Sequence, residues 1–263
     1  MKKFSLWATM LLAFSLLLAA CGGSDSGNGE GESKYDLAES DKFTFASSGE
    51  FAPFSTTDAS GEMSGFDIEV AEAVAKELGL EPNQEKFKFA SIVEGVKTGR
   101  FDAAVASHTI TDERKKAVDF STPYYYSGPQ IFTRPDSDIQ TLDDLKGKEI
   151  AVSKGSTYAK TAKEVTDQIR VYDSDVTALE ALSKGKHDAV ITDFVTGKEA
   201  IGKGFKIEAR ELLGRSEQAI AVSKENEQLL KDINKALETL REDGTLKELS
   251  KKYFGEDITT KPE

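Results

Sequence analysis

Lys97-Thr98-Gly99-Arg100-Phe101-Asp102-Ala103-Ala104-Val105 is echoed later in the chain by Ser183-Lys184-Gly185-Lys186-His187-Asp188-Ala189-Val190-Ile191. Each copy reads as a helix end, a glycine, an aspartate and then a run of small or branched apolar residues. Glycine past a helix end suits a left-handed cap, and aspartate suits the tight entry into a buried strand. Common αβ-loop chemistry can produce this twice; the alternative is that each half of the chain holds its own small α/β lobe with the same local construction. Open α/β sheets bind ligands beyond the carboxyl ends of their strands. The first copy leads into Ser107-His108-Thr109-Ile110-Thr111-Asp112-Glu113-Arg114, the second into Thr192-Asp193-Phe194. One lobe therefore offers a cation with hydroxyls and the other an anion, a complement to a zwitterion held between them.

Outward from the repeat, β-type runs alternate with helical patterns, the mark of α/β layers. Phe43 to Ala46, Phe101 to Ala106, Glu149 to Val152 and Ala189 to Thr192 read as strands. Phe66 to Leu78 reads as a helix, with an apolar stripe from Phe66, Ile68, Val70, Ala71, Val74 and Leu78, closed by Gly79. Shorter helices are expected over Thr111 to Val118, Thr157 to Val165 and Val176 to Leu182. A longer helical stretch runs from Asn226 to Phe254, interrupted at Gly244.

The two ends read differently. Lys2 and Lys3 precede an apolar run from Phe4 to Ala20 that is short for a membrane span and ends in small residues, so 1–20 is expected to be an export signal. Leu18-Ala19-Ala20-Cys21 resembles the bacterial lipobox, in which the cysteine is lipidated; an ordinary signal with an incidental cysteine is the alternative. Cys21 is the only cysteine, so no intramolecular disulfide forms, and acylation removes a lone thiol. A diacylglyceryl group supplies two chains, enough for stable anchoring. Residues 21–40, rich in Gly, Ser, Asp and Glu, read as a flexible tether. The expected organisation is then 41–126 plus 221–256 for lobe 1, 127–220 for lobe 2 and 257–263 as a tail. A net charge of −12 argues against nucleic-acid and anionic-membrane partners. The sequence shows no metal-ligand spacing and no nucleophile–base pair, so no cofactor, no metal and no enzyme activity are expected.

Ser107-x-Thr109-x-Thr111-Asp112-Glu113-Arg114, followed by Asp119-Phe120-Ser121-x-Pro123-Tyr124, resembles the signature of the polar amino acid-binding family of ABC importers, with its type II periplasmic-binding-protein-like fold. Phe51-Ala52-Pro53-Phe54, Gly65-Phe66-Asp67-Ile68, Leu145-Lys146-Gly147-Lys148, Gly155-Ser156-Thr157, Asp188-Ala189-Val190-x-x-Asp193 and the terminal Gly244-Thr245 and Lys252-Tyr253-Phe254-Gly255 extend it over the chain after the tether. The resemblance implies that Arg114 grips a ligand carboxylate with help near Ser107 and Thr109. A guanidinium fork holds a carboxylate bidentately, as lysine does not. Thr111 is placed to cap a helix start ahead of it. Asp193 matches the family's ammonium acceptor and equally suits a helix N-cap. Ser156 and Thr157 match the second-lobe part of the carboxylate cradle, and Phe51 and Phe89 match its aromatic walls. Members that bind lysine or arginine tend to carry an acid where Ser48 stands here. His108 is expected to point away from the ligand.

The function implied is that of an extracytoplasmic binding protein, monomeric and lipid-anchored at the outer face of a Gram-positive-type membrane, delivering an amino acid to a permease. The lobes are expected to hinge near Tyr124 to Gln130 and Ser216 to Val222. The alternative on the same fold is a secreted prephenate or arogenate dehydratase. The sensor domain of a receptor is disfavoured, because no signalling domain follows.

Overall fold

The structure, a computed structural model, describes residues 34–262. The export signal, Cys21 and most of the tether lie outside the described residues. The packed body starts earlier than the tether's expected end at residue 40. Tyr35 is buried and donates to Asp232, the Ala38 N–H donates to Asp102, and the Asp36 carbonyl accepts from Asn226.

Strand β1 (Lys42–Ser47) leads into a small antiparallel meander of β2 (Glu50–Phe51), β3 (Ser55–Thr57) and β4 (Met63–Ser64). Helix α1 (Phe66–Leu78) follows, with the bounds and Gly79 cap that its apolar stripe predicts. Then come β5 (Glu81–Lys86), α2 (Phe89–Lys97), β6 (Ala103–Ala104), β7 (Asp119–Phe120) and β8 (Tyr125–Ser127). The next stretch holds β9 (Pro129–Thr133), β10 (Ile150–Ser153), α3 (Tyr158–Lys163), β11 (Ile169–Tyr172), α4 (Asp175–Ser183), β12 (Ala189–Asp193), α5 (Phe194–Gly202) and β13 (Glu208–Leu212). The chain closes with β14 (Ser216–Gln218), β15 (Ala221–Val222), α6 (Glu227–Glu242) and α7 (Thr245–Phe254).

Two five-stranded sheets result, β5-β1-β6-β15-β7 and β11-β10-β12-β9-β13. In each, the first three strands are parallel and the fourth runs antiparallel to the third. The chain passes from one sheet to the other through β8 and returns through β14, and these two pair with each other antiparallel. The fold is the expected α/β, two-lobed type II architecture.

The inner strands are buried on both faces, which is why they read as unbroken apolar runs. Phe43, Phe45, Ala103, Val105 and Val222 face one core of the first sheet, while Ala46, Ala104 and Ala221 face the other. In the second sheet Ile131, Ile150, Val152, Ala189 and Ile191 face one way, and Phe132, Ala151 and Val190 the other.

The repeat is the same piece of structure twice. Gly99 (φ 72°) and Gly185 (φ 73°) both sit in the left-handed region just past a helix end. Gly99 donates to the Val96 carbonyl and Arg100 to that of Gly95; Gly185 donates to Leu182 and Lys186 to Ala181. Each set satisfies the orphan carbonyls of its helix in the same crossed pattern. Asp102 then accepts the Thr44 N–H at 2.6 Å, and Asp188 the Glu149 N–H at 2.9 Å. Each aspartate ties the entry of its own strand to the neighbouring parallel strand.

Two expectations are corrected. The strand expected over 101–106 pairs only at Ala103–Ala104, because Phe101 and Asp102 belong to the turn and Ser107 leaves with φ 57°. The helix expected over 111–118 is a single 3-10 turn at Arg114–Lys116, too short to propagate without packing. Gly244 does interrupt the last helical stretch, in the left-handed region at φ 88°.

Candidate functional site

The loops at the carboxyl ends of the parallel strands, from both sheets, line one cavity of about 570 Å³. That falls within the usual range for small-molecule sites. The N-terminal ends of α2, α3 and α4 open onto it, through Phe89, Tyr158 and Asp175. Helix N-termini carry unpaired N–H groups and a partial positive charge, so this wall favours anions.

Seven of the eight residues singled out from the sequence for the ligand meet here: Phe51, Phe89, Ser107, Thr109, Arg114, Ser156 and Thr157 all line the cavity. Arg114 is positioned by its own turn, whose N–H donates to Thr111 Oγ1 at 3.2 Å. Its Nη1 donates to the Thr109 carbonyl at 2.9 Å and its Nη2 to the Gly155 carbonyl at 3.0 Å. The guanidinium lies over the Phe89 ring, 5.6 Å from its centre. Burial pulls its pKa below the ordinary arginine value, with Tyr158 and Glu113 opposing. Ser156 and Thr157 sit at the start of α3, where Ser156 Oγ donates to the Ser153 carbonyl at 2.8 Å. Phe51 stacks on Phe54, with ring centres 5.0 Å apart.

His108 packs inward as expected. It is buried, stacks on Phe89 with ring centres 4.5 Å apart, and is held neutral by burial and then by Arg114. Phe89 thus packs against both an imidazole and a guanidinium.

Ser107 lines the cavity but its hydroxyl hydrogen is committed. Its Oγ donates to Asp67 Oδ2 at 2.8 Å, and Tyr124 donates to Asp67 Oδ1 at 2.6 Å. Tyr124 in turn accepts the Ser107 N–H at 3.0 Å. Asp67 is fully buried, and burial raises its pKa to about 6 against the two hydroxyl bonds. This network holds Ser107 in its left-handed conformation, which costs a non-glycine residue on the order of 1 kcal/mol. Only lone pairs of the Ser107 oxygen remain for the cavity.

Asp193 is the exception. It is 1 % exposed, is not among the residues lining the cavity, and accepts the Val195 N–H at 2.9 Å as the N-cap of α5. Burial raises its carboxyl pKa to about 7, with Ser127 opposing. Its charge is felt at Tyr158, whose ring lines the cavity. Charged lining residues not picked out from the sequence are Lys86 at the end of β5, Lys88 and Lys154 just after β5 and β10, Asp173 just after β11, and Asp175 at the start of α4. Asp175 accepts from Ser153 Oγ at 2.9 Å and Thr192 Oγ1 at 2.6 Å. Among the described residues no cluster of His, Cys, Asp or Glu could hold a metal ion, and no helix is long and apolar enough to cross a membrane.

Residues 43–256 match the family model of bacterial extracellular solute-binding proteins, family 3. The chain belongs to that family. The L-cystine-binding protein TcyJ of Escherichia coli (strain K12) is 36% identical to this solute-binding protein over 217 residues, 80% of this chain and 82% of that one. Among solved structures, an ancestral arginine-binding protein bound to glutamine matches with a TM-score of 0.77 and 35% identity, covering 83% of this chain and 100% of its own. The ancestral amino acid-binding protein AncCDT-1, a precursor of cyclohexadienyl dehydratase, matches with a TM-score of 0.76 and 31% identity over 81% of this chain and 95% of its own.

Proposed function

We propose that this solute-binding protein captures an L-amino acid between its two lobes and delivers it to the permease of an ABC importer. The observation that carries the reading is Arg114: a half-buried guanidinium at the cavity wall, held by carbonyls of both lobes, among helix N-termini. In this reading the solute carboxylate takes the fork of Arg114, with Thr109, Ser156 and Thr157 around it. Phe51 and Phe89 are the aromatic walls. The Ser107 oxygen, with its hydrogen given to Asp67, accepts from the solute ammonium. Asp193 is the second ammonium acceptor of this reading. Ser48, in place of an acid, argues against a purely basic side chain.

The lobes of this reading are 41–126 plus 221–256 and 127–220, hinged at the paired strands β8 and β14. The chain works as a monomer anchored by acylated Cys21, and the function is capture without turnover, which incubation with prephenate checks by the absence of phenylpyruvate.

Arg114→Lys tests the core of the proposal, because it keeps the charge and removes the fork. Calorimetry across the amino acids should show about 2 kcal/mol of lost binding for whichever solute wild type prefers. Unaltered affinity removes Arg114 from the site.

A further inference from the structure

The ribbon that joins the lobes has two faces. β8 and β14 pair Tyr125 with Gln218 and Tyr126 with Glu217. Successive side chains of a strand point to opposite faces, so Tyr125 and Gln218 share one face and Tyr126 and Glu217 the other. On the first face Gln218 Nε2 donates to Thr109 Oγ1 at 3.5 Å, and Thr109 lines the cavity. The second face carries the last residues of the chain.

Residues 257–263 read from the sequence as a tail, yet Ile258 and Thr259 are buried. The Tyr126 N–H donates to the Ile258 carbonyl at 2.8 Å, and Lys261 pairs with Glu217 at 3.1 Å. Ser250 belongs to α7, which packs on α1 and α6 beside the first sheet. Its Oγ donates to the Glu256 carbonyl at 2.7 Å and accepts the Ile258 N–H at 2.9 Å. Asp257 accepts the Thr259 N–H at 2.9 Å and the hydroxyls of Thr259 and Thr260 at 2.7 and 3.1 Å. An aspartate bonded to the backbone two residues on stiffens a turn. The segment from Glu256 to Lys261 is therefore fastened to α7 and to both hinge strands.

Toward the second sheet the segment is held more loosely. A groove of about 280 Å³ runs there, lined by Tyr126, Phe194 and Arg215 and by Ile258 and Thr260 of the segment. α5, which packs on β9, β12 and β13, reaches across with one ion pair, Lys198 Nζ to Glu256 at 2.9 Å. On the cavity side Arg114 meets the Gly155 carbonyl in the same arrangement of the lobes. A rotation that opens the cavity moves α5 relative to α7 and to everything fastened to α7, so it changes the separation of Lys198 and Glu256. A contact made in one state and lost in the other biases the equilibrium between them.

We propose that Glu256 to Lys261 form a strap over the outer face of the hinge, and that Glu256 engages Lys198 when the lobes close and so favours the closed state. This rests on the two-lobed capture reading above and adds a device that sets how readily the lobes close.

Small-angle scattering and calorimetry test it on wild type, Glu256→Lys and the exchanged pair Glu256→Lys/Lys198→Glu, with L-cystine, L-glutamine and L-arginine as probes. Glu256→Lys puts two cations face to face at an exposed site, where charge pairs have modest effects. The solute-free variant should show a larger radius of gyration than wild type. Its affinity for the tightest-binding probe should be about three- to fivefold lower. The exchanged pair should restore both quantities, which a general loss of folding would not allow. Both side chains are exposed, so thermal melts of all three proteins should match. Unchanged scattering and affinity in Glu256→Lys overturns the strap, and so does an exchanged pair that restores neither. Should none of the three probes bind wild type, the amino-acid reading falls, and the solute-free scattering comparison alone decides the strap.

Discussion

Ser107 and Asp193 stand at the same step of the internal repeat, each leaving the central strand of its own sheet, and they turn the chain in different ways. Ser107 takes a left-handed conformation and sends the chain into the loop that carries Arg114. Asp193 stays extended (φ −60°, ψ 135°) and starts α5 at once, its own carboxylate capping the helix. Everything before that step is shared: helix end, glycine cap, aspartate tie, strand order. The scaffold is common to the lobes and the chemistry is placed at the exit from the strand. Behind each exit sits a buried carboxylate in the first turn of a helix. Asp67 in α1 receives Ser107 and Tyr124, and Asp175 in α4 receives Ser153 and Thr192.

Removing those two carboxylates is the severest trial of the parallel. Asp67→Ala and Asp175→Ala each orphan two buried hydroxyl donors, at about 1–3 kcal/mol apiece. Each variant should lose roughly 2–6 kcal/mol in urea unfolding. A loss below about 1 kcal/mol in one lobe alone would show that the lobes use their buried acids differently.

Titration sharpens the comparison, since burial raises Asp67 to about 6 and Asp193 to about 7. A raised carboxyl pKa lets the folded chain keep a proton that the unfolded chain has released. The associated stability is complete below the unfolded value near 3.9 and is lost as pH rises through the folded one. Measured against Asp67→Asn, wild type should gain stability as pH falls from about 6 to 4; against Asp193→Asn, the gain should begin near pH 7. The gains are about 3 kcal/mol for Asp67 and about 4 kcal/mol for Asp193. Coincident windows would erase the distinction between the two sites.

The smallest effects concern close packing. A Cβ on Gly95 would meet the Phe101 ring at 2.5 Å, and one on Gly197 the Phe132 ring at 1.9 Å. Gly95→Ala and Gly197→Ala should each cost about 1–3 kcal/mol, Gly197→Ala the more, as read by thermal unfolding. The reverse order would mean that Phe132 yields more readily than Phe101.

The parts of the fold that were legible in the sequence are those with an unambiguous period or cap. α1 was readable from its stripe and from Gly79, and β1, β10 and β12 from their apolar runs. The edge strands were not. β5 is Glu-Pro-Asn-Gln-Glu-Lys, polar on both faces, and β11 alternates too briefly to declare itself. Charged side chains and proline on an edge strand discourage pairing with another chain, so such a strand is often polar where a central strand is apolar. For that reason Lys88 and Asp173, which follow β5 and β11, carried no signal. The Arg114 end was legible because it joins a distinctive hydroxyl-rich run to a single arginine. Asp193 was placed correctly at its strand end, with both its possible roles open; capping α5 is the one its hydrogen bond displays.

Gly155 contributes no side chain to the cavity, yet a β-carbon there would lie 2.8 Å from the Ala90 α-carbon, and its φ of 79° suits glycine. The carbonyl that receives Arg114 thus sits where the opposing lobes pack closely. In kinetic language this missing methyl acts as a latch clearance. Gly155→Ala would halt closure a few tenths of an ångström early and stretch the Arg114 contact. The expected change is in residence time, with a bound solute escaping faster and the rate of its arrival hardly altered.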